Sequence, residues 1–322
     1  MMNLLLLVVG FALLIAGAHF LVEGAAGLAR RFGLSELMIG LTVVAFGTST
    51  PELVVSVLAA ARGTTSIAVG NVLGSNTANI LLILGAAALI RPLAVAASTV
   101  WKEIPVSFLA AVVVAVLGND AWIDGRGESV LDRTDGLALL GFFAVFLYYV
   151  AGMTRAGGEQ AETSPAPPTG PTGGVARIVG GLVALVGGGH LVVASAVVLA
   201  RSWGVSEMTI GVTIVAIGTS LPELATSLVA ARKGKVDIAV GNVVGSCIFN
   251  VFLILGASAV VAPLPIQPAD NVDLGATLLA GGLLFLFMFT GRPRHLLDRR
   301  EGAVCLTIYA AYLAYQAIRQ PP

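Results

Sequence analysis

Two short motifs place an acidic side chain inside apolar segments of the sequence. The first is GTSTPE at Gly47–Glu52, and the second is GTSLPE at Gly218–Glu223. A charge at the centre of a lipid bilayer costs at least about 2.5–3.5 kcal/mol unless something neutralises it. The sequence has no Lys or Arg in the central part of any apolar segment. The counter-charge for the two acids must therefore be a bound metal cation or protons.

Oxygen-bearing groups surround both acids in the same pattern. Pro51 and Pro222 lack an amide donor and clash with the carbonyl four residues earlier, so nearby carbonyls should lose helical hydrogen bonds. Freed carbonyls are tolerated at membrane depth where they line a cavity or coordinate an ion. In the next segment of each half, a serine and an asparagine four residues apart share one helix face. The candidate ligands are Glu52, Glu223, Thr48, Thr219, Ser49, Ser220, Ser75, Ser246, Asn79, Asn250 and the carbonyls of Ala45 and Ala216. Ca²⁺ prefers such hard oxygens, whereas transition metals favour His or Cys.

The composition indicates that these ligands lie inside a membrane. Hydrophobic residues make up 57% of the 322 and charged residues 11%, whereas a soluble domain carries about a quarter charged residues. The apolar runs have the length that crosses a bilayer, about 20 residues. The sequence predicts an all-α polytopic membrane protein with ten transmembrane helices. They are placed at about 3–22, 36–61, 67–90, 103–118, 136–153, 176–199, 207–231, 237–262, 272–290 and 303–318.

The two acidic motifs belong to an internal repeat. A shift of 171 residues aligns Gly40–Ala86 with Gly211–Ala257 without a gap, and more than half of these positions are identical. Five helices in each half is an odd number, so the second half must cross the membrane in the opposite direction. In such inverted repeats the substrate site usually lies near the midplane, where interrupted helices of both halves meet.

Loop charges predict the orientation. With the N-terminus outside, thirteen of the eighteen Lys and Arg residues fall in inside loops, as the positive-inside rule requires. Both termini are then outside. A linker rich in Pro and Gly at 155–174 would be a flexible cytoplasmic connector, between a first five-helix repeat at 1–154 and an inverted one at 175–322. The zero formal net charge gives no indication of a nucleic-acid partner.

The motifs also resemble those of a known family. GTSTPEL with GNVLGSNTAN, and GTSLPEL with GNVVGSCIFN, resemble the two α-repeats of the calcium/cation antiporter superfamily, in particular the bacterial sodium/calcium exchangers. The resemblance covers nearly the full length. It implies Na⁺-driven Ca²⁺ exchange across the prokaryotic inner (plasma) membrane by alternating access. Ca²⁺, Na⁺ and the lipid bilayer would be the partners, with no cofactor and no obligatory protein partner.

The resemblance also implies roles for individual residues. Ca²⁺ would lie between Glu52 and Glu223, helped by Thr48, Thr219 and the carbonyls of Ala45 and Ala216. Na⁺ sites would use the same groups with Ser49, Ser75, Ser220 and Ser246, near Asn79 and Asn250. The first and sixth helices, which carry His19 and His190, would slide across the remaining bundle. The two histidines are expected to pack or to lie at the interface rather than to relay protons.

The coupling ion stays open at this point. Some family members carry an acid at one of the paired asparagine positions, whereas Asn79 and Asn250 are both amides here. Two carboxylates can be neutralised by one Ca²⁺, two Na⁺ or two protons, so H⁺/Ca²⁺ exchange is the alternative function. A cation channel is less well supported, because an inverted repeat offers two oppositely facing states. The sequence contains no pairing of nucleophile and base that indicates an enzyme.

Other polar residues have structural explanations. Glu36 follows a serine at the start of a span, where helix capping accounts for it. Asn71 and Asn242 could either hydrogen-bond at a helix start or line the ion path. Cys247 stands where the other repeat has Asn76, and it is expected to be a packing residue.

Overall fold

The computed structural model describes residues 2–123, 125, 127–155, 171–203, 216–291 and 293–319. Most of them are helical. The first half contains α1 (Met2–Phe32), α2 (Glu36–Ile39), the π-helix π1 (Gly40–Val44), α3 (Ala45–Thr48), α4 (Thr50–Ala61), α5 (Thr65–Thr77), π2 (Ala78–Leu84), α6 (Gly85–Ile90), β1 (Leu93–Ala94), α7 (Ala97–Trp101), α8 (Glu103–Leu117), α9 (Asp120–Ile123), β2 (Val130–Leu131) and α10 (Arg133–Arg155). The second half contains α11 (Pro171–Ser202), α12 (Ala216–Gly218), α13 (Leu221–Arg232), α14 (Val236–Ile248), π3 (Phe249–Leu255), α15 (Gly256–Val261), β3 (Leu264–Pro265), α16 (Asp270–Thr290), β4 (Leu296–Leu297) and α17 (Arg299–Arg319).

Apolar helices of membrane-spanning length confirm that the chain is a helical membrane protein. Seven qualify within the described ranges, and the bent pair Glu36–Thr48 and Thr50–Ala61 would make an eighth. The predicted span at 207–231 begins in residues 204–215, which lie outside the described part of the chain. The predicted span at 303–318 falls in α17, a helix with three tyrosines that is less apolar than the seven.

Two predicted boundaries are wrong. The first helix ends at Phe32 rather than at residue 22, because glutamate favours the helix and Glu23 therefore does not end it. The Glu23 carboxylate is paired with Lys233 (Nζ to Oε1 2.7 Å). Helix α11 already begins at Pro171, so the last four residues of the predicted flexible linker are helical. Proline suits this position because its missing amide has no helical partner in a first turn. Residues 156–170 of the linker lie outside the described part.

Two long helical runs, α5–π2–α6 and α14–π3–α15, are the most deeply buried spans. α14 packs closely against the start of the second span. A Cβ at Gly241 would lie 2.7 Å from the carbonyl oxygen of Leu37, and one at Gly245 would lie 2.7 Å from that of Leu41. The absence of a side chain at these two glycines therefore permits the close approach of the helices. A Cβ at Gly74 would meet no described atom within 4 Å.

Helices α1 and α11 form a close antiparallel pair. A Cβ on Gly17 would lie 2.7 Å from the carbonyl oxygen of Gly181, and a Cβ on Gly181 would lie 2.8 Å from that of Gly17. A similar contact recurs seven residues away on each side, where a Cβ on Gly10 would lie 3.0 Å from the carbonyl oxygen of Gly188 and a Cβ on Gly24 would lie 3.0 Å from that of Gly174. Because the backbones approach closely at these three places, the two helices pack as one unit.

Four two-residue strands join the halves. β1 pairs antiparallel with β4, which aligns Leu93 with Leu297, and β2 pairs with β3, which aligns Leu131 with Leu264. All four leucine side chains are buried. Because the helix α8 separates β1 from β2 along the chain, the two pairings lie at opposite ends of the bundle.

Candidate cation-binding site

Each acidic motif lies where a helix breaks. Helix α3 ends at Thr48, Ser49 adopts φ −82° and ψ 5°, and α4 continues from Thr50 after a bend of 47°. Pro51 lies in the first turn of α4, where a missing amide donor is tolerated. Helix α13 begins in the same way after Ser220, at φ −84° and ψ 5°. Both acids therefore lie in the first turn of a helix, where the helix dipole favours a negative charge.

Serines from each half reach the acid of the other half. Glu52 and Glu223 are each 1% exposed. Ser49 Oγ donates to Glu223 Oε1 at 3.0 Å, and Ser220 Oγ donates to Glu52 Oε1 at 3.4 Å. The same two hydroxyls also lie within hydrogen-bond distance of the predicted ligands Ser246 (3.0 Å from Ser49) and Ser75 (3.2 Å from Ser220). The structure thus brings both acids and all four predicted serines together.

Asn71 and Asn242 each hydrogen-bond to the backbone of one acid and to hydroxyl groups beside it. Asn242 Nδ2 donates to the backbone carbonyl of Glu223 at 3.4 Å and to Ser227 Oγ at 3.0 Å. Its Oδ1 accepts from Thr48 Oγ1 at 3.0 Å. Asn71 makes the equivalent contacts to Glu52, Ser56 and Thr219. Both asparagines lie in the middle of a helix, so the helix-start explanation is wrong, and they hold the predicted threonine ligands in place.

Four buried oxygen atoms of the site have no hydrogen-bond partner among the described residues. They are Glu52 Oε2, Glu223 Oε2, Asn79 Oδ1 and Asn250 Oδ1. A buried polar atom without a partner costs about 1–3 kcal/mol, and more if it is charged. The 171-residue shift relates the four as one pair of acids and one pair of amides. Their free lone pairs are of the type that a hard cation coordinates.

Both asparagines that the sequence predicts as ligands lie at the start of π-helical segments. π2 begins at Ala78, one residue before Asn79, and π3 begins at Phe249, one residue before Asn250. Single π-turns widen a helix locally and are frequent at functional sites. The regular four-residue spacing from the serine therefore describes the direction of each asparagine only approximately.

One of the two predicted carbonyl ligands accepts a helical hydrogen bond that the proline was expected to remove. The carbonyl of Ala45 accepts the amide of Ser49 at 2.9 Å, so the prediction that the proline frees it is wrong. The donor that Pro51 lacks would have bonded to Gly47, four residues earlier. A carbonyl oxygen has a second lone pair, so Ala45 stays a candidate ligand. Ala216 is the first residue of the short helix α12.

Residues predicted to have structural roles lie away from the acids. His19 and His190 are exposed on α1 and α11, and His19 Nε2 lies 3.3 Å from Lys233 Nζ. Ser35 caps α2 by accepting the amide of Met38 at 3.2 Å, which confirms the predicted capping.

Asn76 is a residue that the sequence reasoning did not assign. It is 2% exposed, and its side chain contacts Cys247 and Asn250 in the other half. A signal was available, because Asn76 and Cys247 occupy equivalent positions of the repeat, each directly after a serine that is a candidate ligand. Cys247 is 1% exposed, as expected of a packing residue.

Comparisons with known proteins agree with this geometry. The family model described as sodium/calcium exchanger protein matches residues 2–152 and 173–318. Inner membrane protein YrbG of Escherichia coli is 39% identical over 303 residues, which cover 90% of this chain and 89% of YrbG. Sodium/calcium exchanger MaX1 of Methanosarcina acetivorans is 32% identical, with 97% of each chain covered. A solved structure of the sodium-calcium exchanger NCX_Mj matches with a TM-score of 0.82 and 31% identity over 98% of both chains.

Proposed function

Because the chain belongs to the sodium/calcium exchanger family, we propose that it is a secondary antiporter that exchanges Ca²⁺ for Na⁺ across a membrane. The observation that carries the proposal is the set of four unpartnered oxygens on Glu52, Glu223, Asn79 and Asn250. A bound cation would supply the partner that all four lack. The ions bind between the two motifs, with Thr48, Thr219, Ser49, Ser220, Ser75, Ser246 and the carbonyls of Ala45 and Ala216 as further ligands.

The charge of the site fits one divalent or two monovalent cations. The hydrogen bonds to the carboxylates of Glu52 and Glu223 from the described side chains come from neutral hydroxyl groups, those of Ser220 and Ser49 among them. The basic side chains found in ion pairs contact Glu23 and Glu36 instead. The two carboxylates therefore carry about two negative charges that the described residues do not balance. One Ca²⁺ balances them, and so do two Na⁺. This equivalence is what an exchanger requires.

The proposal includes ten helices in two inverted repeats. It is supported by hydrogen bonds that recur when the halves are interchanged: Thr48 donates to Asn242 at 3.0 Å, and Thr219 donates to Asn71 at 3.2 Å. Each pair of short strands also joins one loop from each half. Both facts are expected of a pseudo-two-fold arrangement.

Alternating access is supported by an asymmetry in how α1 and α11 cover the two motif helices. Helix α1 packs along α13, whereas α11 contacts the equivalent helix α4 less. Phe46, Val54 and Leu58 are consequently about half exposed, while the repeat-equivalent residues of the second half, Ile217, Ala225 and Val229, are partly buried. A narrow crevice beside Ser49 lies on this side, lined by Phe46, Ser49, Leu53, Phe249, Leu253 and Ile254. Moving the α1–α11 pair from α13 to α4 would exchange the open and the covered side.

We place the protein in the inner membrane with both termini outside. The relative YrbG is an inner membrane protein. Three loops that this orientation puts on the inside meet in the structure, since Lys235 and Arg30 both contact Glu36, and the Arg91 side chain lies against Gly234. Clustering of these bases on one face agrees with the positive-inside rule.

Ion flux into proteoliposomes tests the coupling. We expect an imposed Na⁺ gradient to drive ⁴⁵Ca²⁺ uptake at constant pH, because two Na⁺ can replace one Ca²⁺ at the two carboxylates. A pH gradient without Na⁺ should drive little uptake. Vesicles without protein, and vesicles with equal Na⁺ on both sides, are the controls.

Two results would contradict the proposal in different ways. Uptake driven by the pH gradient alone would make the protein an H⁺/Ca²⁺ exchanger, in which protons neutralise the same two acids. Electrical current with Ca²⁺ as the sole permeant cation would indicate a channel, since a channel does not need a counter-transported ion.

A further inference from the structure

One buried asparagine beside the site has no role in the exchange described so far. Asn76 follows the serine ligand Ser75 directly in the chain. Its Nδ2 donates to the backbone carbonyl of Cys247 at 3.2 Å, and its Oδ1 accepts from Asn250 Nδ2 at 3.0 Å. Asn76 therefore connects the backbone of the second half to the side chain of a proposed ligand.

These two bonds determine the direction of both amides. The nitrogen and oxygen of a side-chain amide are told apart by their partners. A backbone carbonyl can only accept, so the atom of Asn76 that faces Cys247 must be its NH₂ group. Its oxygen then faces Asn250, which must present its own NH₂ group in return. The oxygen of Asn250 consequently points elsewhere, and it is one of the four unpartnered oxygens.

The position equivalent to Asn76 in the other repeat carries a group that forms weaker hydrogen bonds. Cys247 stands where the first half has Asn76, and its Sγ lies 3.9 Å from the Asn76 carbonyl. The same thiol interacts with Asn79. A thiol is a weak donor and a weak acceptor. The amide of Asn79 is therefore held less firmly than that of Asn250.

We propose that Asn76 is a positioning residue that fixes the carbonyl oxygen of Asn250 toward the transported Ca²⁺. With a thiol in the equivalent place, Asn79 is the weaker of the two amide ligands. This inference rests on the proposed Ca²⁺ site at Glu52 and Glu223. Asn76 does not touch the ion and acts through Asn250.

Equilibrium ⁴⁵Ca²⁺ binding to the purified full chain in detergent tests the positioning role. Asn76→Ala is expected to weaken binding roughly three- to tenfold, the effect of one neutral hydrogen bond. Its effect should be non-additive with Asn250→Ala, because positioning has no value once the ligand is gone. With Asn79→Ala it should be additive. If the effect of Asn76→Ala is equally non-additive with Asn250→Ala and with Asn79→Ala, Asn76 only supports the fold. That result would overturn the proposal.

Exchanging the two residues gives a test that a damaged fold cannot imitate. Cys247→Asn alone should strengthen the hold on Asn79 and tighten Ca²⁺ binding by about twofold or more. In the wild-type protein we expect Asn250→Ala to weaken binding more than Asn79→Ala does. In the Asn76→Cys, Cys247→Asn double variant this order should be reversed. An unchanged order would contradict the proposal.

Glu52→Gln in the same assay distinguishes a failure of the proposed Ca²⁺ site from a failure of the positioning role of Asn76. Undiminished Ca²⁺ binding by Glu52→Gln would mean that the proposed site itself is wrong. If Glu52→Gln abolishes binding and the exchange of Asn76 and Cys247 leaves the order of the asparagines unchanged, the site stands and the positioning role fails.

Discussion

Glu52→Gln and Glu223→Gln are each expected to abolish exchange. Glutamine keeps the size of the side chain but removes one of the two negative charges that face the cation. Removing one partner of a buried charge pair costs about 3–5 kcal/mol, which corresponds to roughly a 100- to 4000-fold weaker Ca²⁺ affinity. Ca²⁺ binding to the purified variants and ⁴⁵Ca²⁺ flux in proteoliposomes measure the two consequences.

Glu36→Gln is the matched control. Glu36 also lies in the first turn of a helix, but it is partly exposed and its carboxylate is paired with Lys235 at 2.7 Å. Exposed ion pairs contribute about 0–1 kcal/mol, so exchange should continue near the wild-type rate. Wild-type exchange in Glu52→Gln or Glu223→Gln would refute the assignment of the acids as ligands.

The second large effect concerns the contact between α1 and α11. Gly181→Ala should lower the melting temperature of the protein by several degrees and slow exchange. The new Cβ would lie 2.7 Å from the backbone nitrogen of Leu21 and 2.8 Å from the carbonyl oxygen of Gly17. Backbone atoms cannot rotate away, so the helices must separate. Overpacking of this kind costs about 1–3 kcal/mol or more.

Its neighbour in the sequence provides the control. A Cβ at Gly180 would meet no described atom within 4 Å. Replacing a helical glycine by alanine at an open position stabilises the helix by about 0.5–1 kcal/mol. Gly180→Ala should therefore melt at the wild-type temperature or slightly above it. If both variants melt alike, the glycine contact does not hold the pair together.

The central residues of the site were predictable from the sequence because the chain contains the motif twice. A buried acid without a base is an anomaly, and its recurrence after 171 residues makes an accident implausible. The structure accordingly brings Glu52, Glu223 and the four predicted serines together through hydrogen bonds between the halves. The presence of the helices was equally predictable, because a long apolar segment in a membrane has few alternatives to a helix.

Features that depend on contacts between the halves were not predictable. The orientation of Asn76 follows from the backbone carbonyl of Cys247. The repeat marks these two residues as equivalent but does not indicate that they contact each other. The π-helical segments that contain Asn79 and Asn250 have no compositional signal that distinguishes them from α-helix. The end of the first helix was misplaced for a different reason, because a charged residue such as Glu23 ends an apolar run but does not end a helix.

The two strand pairings have a mechanical consequence. β1 with β4 and β2 with β3 fasten the halves together at opposite ends of the bundle, and neither pairing includes α1 or α11. A body fastened at both ends resists hinging between its halves. The α1–α11 pair, held by glycine contacts along its own length, retains translation as its easiest displacement. In the proposed alternating access, the fastened halves would be a stationary frame that carries the ions, and the α1–α11 pair would be the moving part that determines which side of the membrane can reach them.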